Sequence, residues 1–192
     1  MKLFTLYNTA GSVNTYLIGH ENGGDAIIID PGQIDLHILD ILETNNYYIK
    51  SILLTHDHEN HIRGVKTLMK IYDSTIYSKS PLIYDFTAHT LNDNDILNLS
   101  GFEINVIWVP GHSDDSLVFR IRNTLFTGDV ISAGRIGLTH GSIQKNLLQR
   151  GIVDKLFSLD KELIIFPGHG SPSTMKSEKE FNPFINHSDY LN

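Results

Sequence analysis

The sequence predicts an α/β layered architecture, two sheets packed together with helices on the outside. Strand-like segments dominate both halves of the chain, and helical segments are interleaved among them. The 192 residues suffice for one substantial domain with a proper core, and their 41% hydrophobic content is ordinary for a globular chain. No repeat, low-complexity tract or Pro/Gly/Ser-rich linker divides them, so residues 1–192 read as a single domain.

The first half opens with strands at KLFTLY, NTYLIGH and, beyond a turn at Gly23-Gly24, DAIIIDPG. Residues 34–42 carry apolar side chains at 34, 38, 41 and 42, the spacing of a helix. KSILLTH has the aliphatic run of a buried strand. HIRGVKTLMKIY places Ile62, Val65, Leu68, Met69 and Tyr72 on one helical face. TIYS reads as a short strand and residues 80–89 as a further turn of helix. FEINVIWVP and SLVFRIRN alternate apolar and polar residues as half-buried strands do, and TLFTGD continues the sheet. GSIQKNLLQRGIVDKLFSL predicts an amphipathic helix capped by Ser142 and weakened at Gly151. LIIFPGHG is another buried strand and turn, and a last helix falls near SEKEFNPFI.

Composition narrows the function classes. The net charge is −7, with acidic residues scattered and no Lys/Arg stripe, which argues against nucleic acid or an anionic membrane and leaves a small molecule as the expected partner. Oligomeric state is not readable. There is no cysteine, so disulfides, thiol catalysis and thiolate ligands are excluded together. A transition-metal site would have to use histidine and carboxylate, a donor set that suits zinc, iron or manganese. The N-terminus is too polar and broken for a signal-peptide core, and no apolar run approaches the roughly 20 residues that span a bilayer. A cytoplasmic location is expected.

Chemistry concentrates where strands end beside tight turns, in LLTHDH, WVPGHS, LFTGD and IIFPGHG. His56 and His58 lie two apart in an extended segment and project to one side. His61, at the entry to the next helix, can turn back towards them. His112 and His169 each follow Pro-Gly, where glycine permits close backbone approach, and Asp129 follows Gly128 with an anionic ligand. A lone loop histidine is ordinarily a surface residue, and His20, His37, His89 and His187 are read that way. An H-x-H-x-x-H run after a buried strand, followed by two P-G-H turns and a G-D turn, is much harder to reach by chance.

The order of these motifs resembles the metallo-β-lactamase superfamily, with its H-x-H-x-D-H, then H, then D, then H. NTYLIG and AIIIDPG look like the opening strands, PGHSDDSLVF like the third motif and LFTGDVISAGRIG like the fourth. FPGHGSPSTMKSEKEFNPFI is close to the ending of small glyoxalase II-like hydrolases. The resemblance implies a four-layer αββα sandwich with the active site along one edge of the sheets. It implies a first metal site of His56, His58 and His112, and a second of His61 and His169 with the family's aspartate replaced by Asn60. Asp129, the catalytic carboxylate, would bridge the two. It further implies Zn²⁺, one or two ions, with Fe or Mn as alternatives, and a bound hydroxide attacking a carbonyl.

Three departures from the pattern matter. Asn60 offers a neutral amide oxygen, a weaker ligand that cannot act as a base, so the second site is expected to bind weakly. Asp57 and Glu59 point away from the histidines by the period-two rule and are expected to be solvated or to orient an imidazole. Leu138 and His140 stand where the family often has Arg and Asp, and SDDS replaces a commoner glycine-containing turn. Only 23 residues follow His169, so the helical extension that grips glutathione in glyoxalase II is absent and glutathione thioesters are not the expected substrate. The expectation is a metal-dependent hydrolase of an ester, thioester or lactone-like small molecule. The alternatives are a mononuclear Fe(II) persulfide dioxygenase-like enzyme using His56, His112 and Asp129, or a non-catalytic metal-binding member. Tyr84, Phe86 and Trp108 are candidates for a pocket wall, with core packing the commoner use of each.

Overall fold

The computed structural model describes residues 1–9 and 11–185. The first half forms β1 (Lys2–Asn8), β2 (Val13–Gly19), β3 (Gly24–Ile29), α1 (Leu36–Thr44), β4 (Tyr47–Leu53), α2 (Glu59–Ile62), α3 (Val65–Ile71), β5 (Thr75–Ser78), β6 (Leu82–Ile83), β7 (Phe86–Thr87) and β8 (His89–Thr90). The second half forms β9 (Ile96–Leu99), β10 (Phe102–Trp108), β11 (Leu117–Ile121), β12 (Thr124–Gly128), β13 (Ile131–Ser132), β14 (Arg135–Ile136), α4 (Ser142–Gly151), β15 (Ile164–Pro167), β16 (Ser173–Thr174) and α5 (Met175–Phe181). Each half contributes one six-stranded sheet, in the orders β1-β2-β3-β4-β5-β8 and β16-β15-β12-β11-β10-β9.

Side-chain alternation along the strands builds the layers. Ile18, Ile27, Ile29 and Leu53 face the opposite sheet, where Phe102, Ile104, Phe119 and Phe126 close the interface between the two. Their sequence neighbours Leu17, Ile28 and Ile52 turn the other way and meet Ile38 and Leu42 of α1 with Val65 and Leu68 of α3. On the far side Val118, Leu125 and Ile165 pack against Leu148 of α4, Ile152, Leu156 and Met175 of α5. Three apolar seams between four layers make the αββα sandwich.

Several local expectations are corrected. Residues 80–89 hold no helical turn: β6 and β7 pair as a hairpin around Tyr84-Asp85, and Tyr84 takes φ +52, the left-handed conformation that two-residue hairpin loops demand. The segment 61–72 is two short helices rather than one. At the break, Gly64 N–H donates to Pro31 O at 2.7 Å, and a Cβ there would stand 2.5 Å from that oxygen. Ser142 is the first residue of α4 and caps nothing; Gly141, at φ +114, precedes it. Gly151 does not weaken the helix so much as change its pitch, leading into a π-helical turn at Ile152–Leu156. It sits against Val109, whose Cγ1 a Cβ would meet at 2.9 Å. The terminal helix starts under Thr174, which accepts from Ser177 N–H at 3.2 Å; His187 lies outside the described residues. Among the described residues no helix is long and apolar enough to cross a membrane.

Candidate metal centre

Four strand ends converge at one edge of the sandwich. β4 runs through Leu54 and Thr55 to His56, and the chain then carries His58, Asn60 and His61 into α2. The loop after β10 brings His112, β12 ends just before Asp129, and β15 ends before His169. The turn holding His169 is anchored from β2: Asn14 donates from Nδ2 to Pro167 O at 3.0 Å and Gly170 O at 2.8 Å, and Tyr16 Oη donates to Pro167 O at 2.6 Å. Burial pushes the Tyr16 phenol far above its ordinary range, so it remains a donor.

All the sequence-selected histidines meet here. The His56 ring lies 4.5 Å from that of His58, 4.1 Å from His61 and 5.0 Å from His112, centroid to centroid. His61 and His169 are 5.3 Å apart. Asp129 faces four of them: Oδ1 is 3.5 Å from His61 Nε2, and Oδ2 is 3.4, 3.6 and 4.0 Å from Nε2 of His169, His112 and His56. Two donor sets gather within 4.8 Å, His56 with His58 and His112, and His56 with His61 and Asp129. His169 stands outside both, and its Nε2 is 3.3 Å from the half-buried Asn60 amide nitrogen.

The outward nitrogens decide what the inward ones can do. His112 Nδ1–H donates to Leu138 O at 2.8 Å and His169 Nδ1–H to Ser12 O at 2.7 Å. Each Nε2 therefore presents a lone pair to the site. The rings of His56 and His61 are set by a residue that sequence reasoning passed over as part of a strand. Asp30, buried at the end of β3, accepts from Thr55 N–H at 2.8 Å, from Thr55 Oγ–H at 2.6 Å and from His61 Nδ1 at 3.0 Å. Since the Thr55 hydroxyl spends its one proton on Asp30, it must accept from His56 Nδ1, 3.0 Å away. One carboxylate thus orients two imidazoles. The signal available was an acid closing an aliphatic run, in AIIIDPG.

A second overlooked acid is Asp115, whose carboxylate accepts from Asp57 N–H at 2.9 Å and pins the H-x-H segment; burial raises its pKa. Asp57 and Glu59 do point away. Asp57 accepts from Ser80 Oγ at 3.3 Å, and Glu59 takes the Tyr84 hydroxyl at 2.7 Å and pairs with Arg63 at 3.6 Å. Neither orients an imidazole; Asp30 has that role. Leu138 is exposed but supplies the carbonyl that holds His112, and His140 is exposed. Tyr84, Phe86 and Trp108 are absent from the residues lining the cavity of about 280 Å³ beside His112, Asp129 and His169.

These residues fit a cation. His56 Nε2, His61 Nε2 and Asp129 Oδ1 are buried with no hydrogen-bond partner among the described residues, an arrangement that costs free energy unless something electropositive lies between them. His58 Nδ1 and His112 Nε2 are 3.2 Å apart; two nitrogens about 2.0 Å from one tetrahedral zinc would be separated by about 3.3 Å. The field points the same way. Burial opposes a proton on His61, but the Asp30 and Asp129 carboxylates outweigh it and raise its pKa to about 9. Burial, then the neighbouring His61, lowers that of His56 to about 2. Burial pushes the Asp129 carboxyl up, yet His169 and His61 hold it well below the usual range, so it is ionised. Gly168 makes the close approach possible: a Cβ there would strike Asp129 Oδ1 and lie 2.7 Å from His61 Cε1.

The chain is similar to several known proteins. The profile described as the metallo-beta-lactamase superfamily matches residues 8–169. An uncharacterized protein of Mycobacterium tuberculosis is 32% identical, over 90% of this chain and 92% of its own. The hydroxyacylglutathione hydrolase GloC of Haemophilus influenzae is 29% identical, over 84% of this chain and 88% of its own. Among solved structures, the BLEG-1 B3 metallo-beta-lactamase superposes with a TM-score of 0.85 at 25% identity, covering 96% of this chain and 100% of that one.

Proposed function

The chain belongs to the metallo-β-lactamase superfamily, and from that membership we propose that it is a metal-dependent hydrolase of an ester, thioester or lactone-like small molecule. The observation that carries the reading is the set of buried, unpartnered donors, His56 Nε2, His61 Nε2 and Asp129 Oδ1, aimed at one point. The GloC relative carries a thioester hydrolase's name, and this chain spans 88% of it. A short C-terminus is therefore no argument against a glutathione thioester, and the expectation drawn from chain length is withdrawn.

In this reading His56, His58 and His112 hold one ion, zinc foremost. Asp129 completes that site and reaches a second, weaker one with His61, His169 and Asn60. A bound dication lowers the pKa of its water to about 7 and polarises a carbonyl oxygen, the two requirements of hydrolysis at neutral pH. The protein's own part is orientation. Asp30, directly and through Thr55, together with Leu138 O and Ser12 O, holds protons on the outward ring nitrogens and so leaves the inward nitrogens as the ones that face a cation. On His61 a proton must give way to that cation, because the pKa of the ring is raised to about 9. Asp129 stays anionic because the imidazoles around it favour its charge. Asn60 brings no charge, which leaves the second position short of one carboxylate.

The test is elemental analysis of protein purified without added metal, followed by a panel of aryl esters, thioesters and lactones. Turnover that chelation abolishes and Zn²⁺ restores is expected. A metal-loaded protein inert across the whole panel would turn the reading towards a non-catalytic metal-binding member. A second reading keeps the Fe(II) alternative but moves its set from His56, His112 and Asp129 to His56, His61 and Asp129, which gather within 4.8 Å as two histidines and one carboxylate of the kind that holds Fe(II). Iron in the purified protein, with oxygen uptake on adding a persulfide, would favour it.

A further inference from the structure

The strip Arg135, Ile136, Gly137 and Leu138 is shared by two adjoining cavities. On one side it lines the cavity at His112, Asp129 and His169; on the other it lines a cavity of about 380 Å³ with Thr139, Lys145 and Phe184. The second cavity has apolar walls in Ile136, Leu138 and Phe184, and two cations in Arg135 and Lys145. Neither cationic side chain has a hydrogen-bond or ion-pair partner among the described residues. In a chain of net charge −7 that is a local reversal of sign beside the metal centre.

The backbone at Arg135 is held in place from α5. Gly134 N–H donates to both oxygens of Glu178, at 3.2 and 3.1 Å, and Arg135 O accepts from Asn182 Nδ2 at 3.2 Å. Asn182 Nδ2 donates to Glu178 Oε2 as well, at 2.7 Å, and Ser173 Oγ donates to Glu178 Oε1. Glu178 and Asn182 are 3% and 5% exposed. Burying a carboxylate is expensive, and here every contact grips the β13–β14 hairpin or the partners that grip it. The backbone on either side of Arg135 is thereby set before any ligand arrives, which lowers the ordering cost of binding.

We propose that the clamped hairpin is the specificity arm of the site, and that the substrate carries a carboxylate separated from its reacting carbonyl by an apolar stretch. Arg135 and Lys145 receive the carboxylate, Arg135 through its planar fork, while Ile136, Leu138 and Phe184 cover the apolar part. The inference deepens the hydrolase reading and rests on it for the reacting carbonyl; the anion subsite is tested by binding, so the two can fail separately.

The probe pair is 4-phenylbutyrate and 4-phenylbutyramide, nearly equal in size and different in charge, titrated calorimetrically into the protein as purified. The carboxylate is expected to bind about tenfold tighter, with the preference shrinking between 50 and 500 mM NaCl. In Arg135→Gln/Lys145→Gln the preference should fall to within about twofold at unchanged metal content, and Arg135→Lys alone should retain most of it. Equal affinity for the two probes in the unaltered protein would overturn the proposal. So would a preference that survives the double substitution, because the carboxylate would then be held by the metal. Failure of the hydrolase reading shows separately, as no turnover of phenyl esters while the binding preference stands.

Discussion

Asp30→Asn changes one atom and should disable two ligands. The substitution keeps the shape of the side chain and the left-handed backbone, φ +48, that Asp and Asn both tolerate. What it removes is the charge and one acceptor. Oδ1 receives Thr55 N–H, while Oδ2 receives both Thr55 Oγ–H and His61 Nδ1–H. With the amide oxygen kept on Thr55 N–H, the new NH₂ meets two donors. Each must turn about: His61 moves its proton to Nε2, and Thr55 Oγ donates to His56 Nδ1, forcing the proton of that ring to Nε2 also. Both inward lone pairs are lost unless the metal expels the protons. Outer partners of metal-bound histidines are typically worth 10–100-fold in affinity, about 1.4–2.8 kcal/mol, and two rings depend on this one, so the upper end is expected. The assay is Zn²⁺ competition against a chromophoric chelator, with circular dichroism to show that the variant is folded. An affinity within about twofold of the unaltered protein, in a folded variant, would refute the relay from Asp30 through Thr55.

Three further outcomes are expected. Gly168→Ala drives a methyl group into Asp129 Oδ1 and towards His61 Cε1; overpacking of this kind costs about 1–3 kcal/mol, and both the melting temperature and the zinc content should drop, the latter to well below one ion per chain. Asn60→Asp supplies the missing charge, so a second equivalent of Zn²⁺ should bind about tenfold tighter, equivalent to ~1.4 kcal/mol; an unchanged second equivalent in calorimetry would show that Asn60 does not limit that site. Asp93 ties β10 to the π-helical turn, accepting from Trp108 N–H at 2.8 Å and Lys155 Nζ at 2.6 Å. Burial pushes its pKa up, but the Lys155 hydrogen bond outweighs this and the net shift is below 3.8. The stabilisation is therefore present above pH 3.8 and is lost as pH falls through the depressed folded value. Asp93→Asn should cost about 1 kcal/mol in urea unfolding at pH 7 and lose less stability than the unaltered protein between pH 5 and 2.

Much of the sandwich can be read from local pattern, because alternation along a strand is a property of neighbouring residues. Ile27-Ile28-Ile29 and Leu125-Phe126 place successive side chains in different seams without reference to the rest of the chain. The six polar residues at strand ends were legible for a related reason: His, Asp and the Pro-Gly or Gly before them are rare at the ends of aliphatic runs. Where the reading went astray, at residues 80–89 and at the break before Val65, the deciding forces were a two-residue hairpin loop and the contact between Gly64 and Pro31, and the second of these crosses 33 positions of chain.

The sequence by itself determined the layer order, the cysteine-free donor set and which residues gather at the candidate metal centre. Tertiary structure alone decided how those donors are aimed. Asp30 reaches His61 across 31 positions, Ser12 reaches His169 across 157, and Glu178 reaches Gly134 across 44. The proton on an imidazole follows whichever acceptor lies beside its other nitrogen, and no periodicity in the chain encodes which acceptor that is. Ligand identity is local chemistry; ligand orientation is a long-range contact, available only once the two sheets have closed on each other.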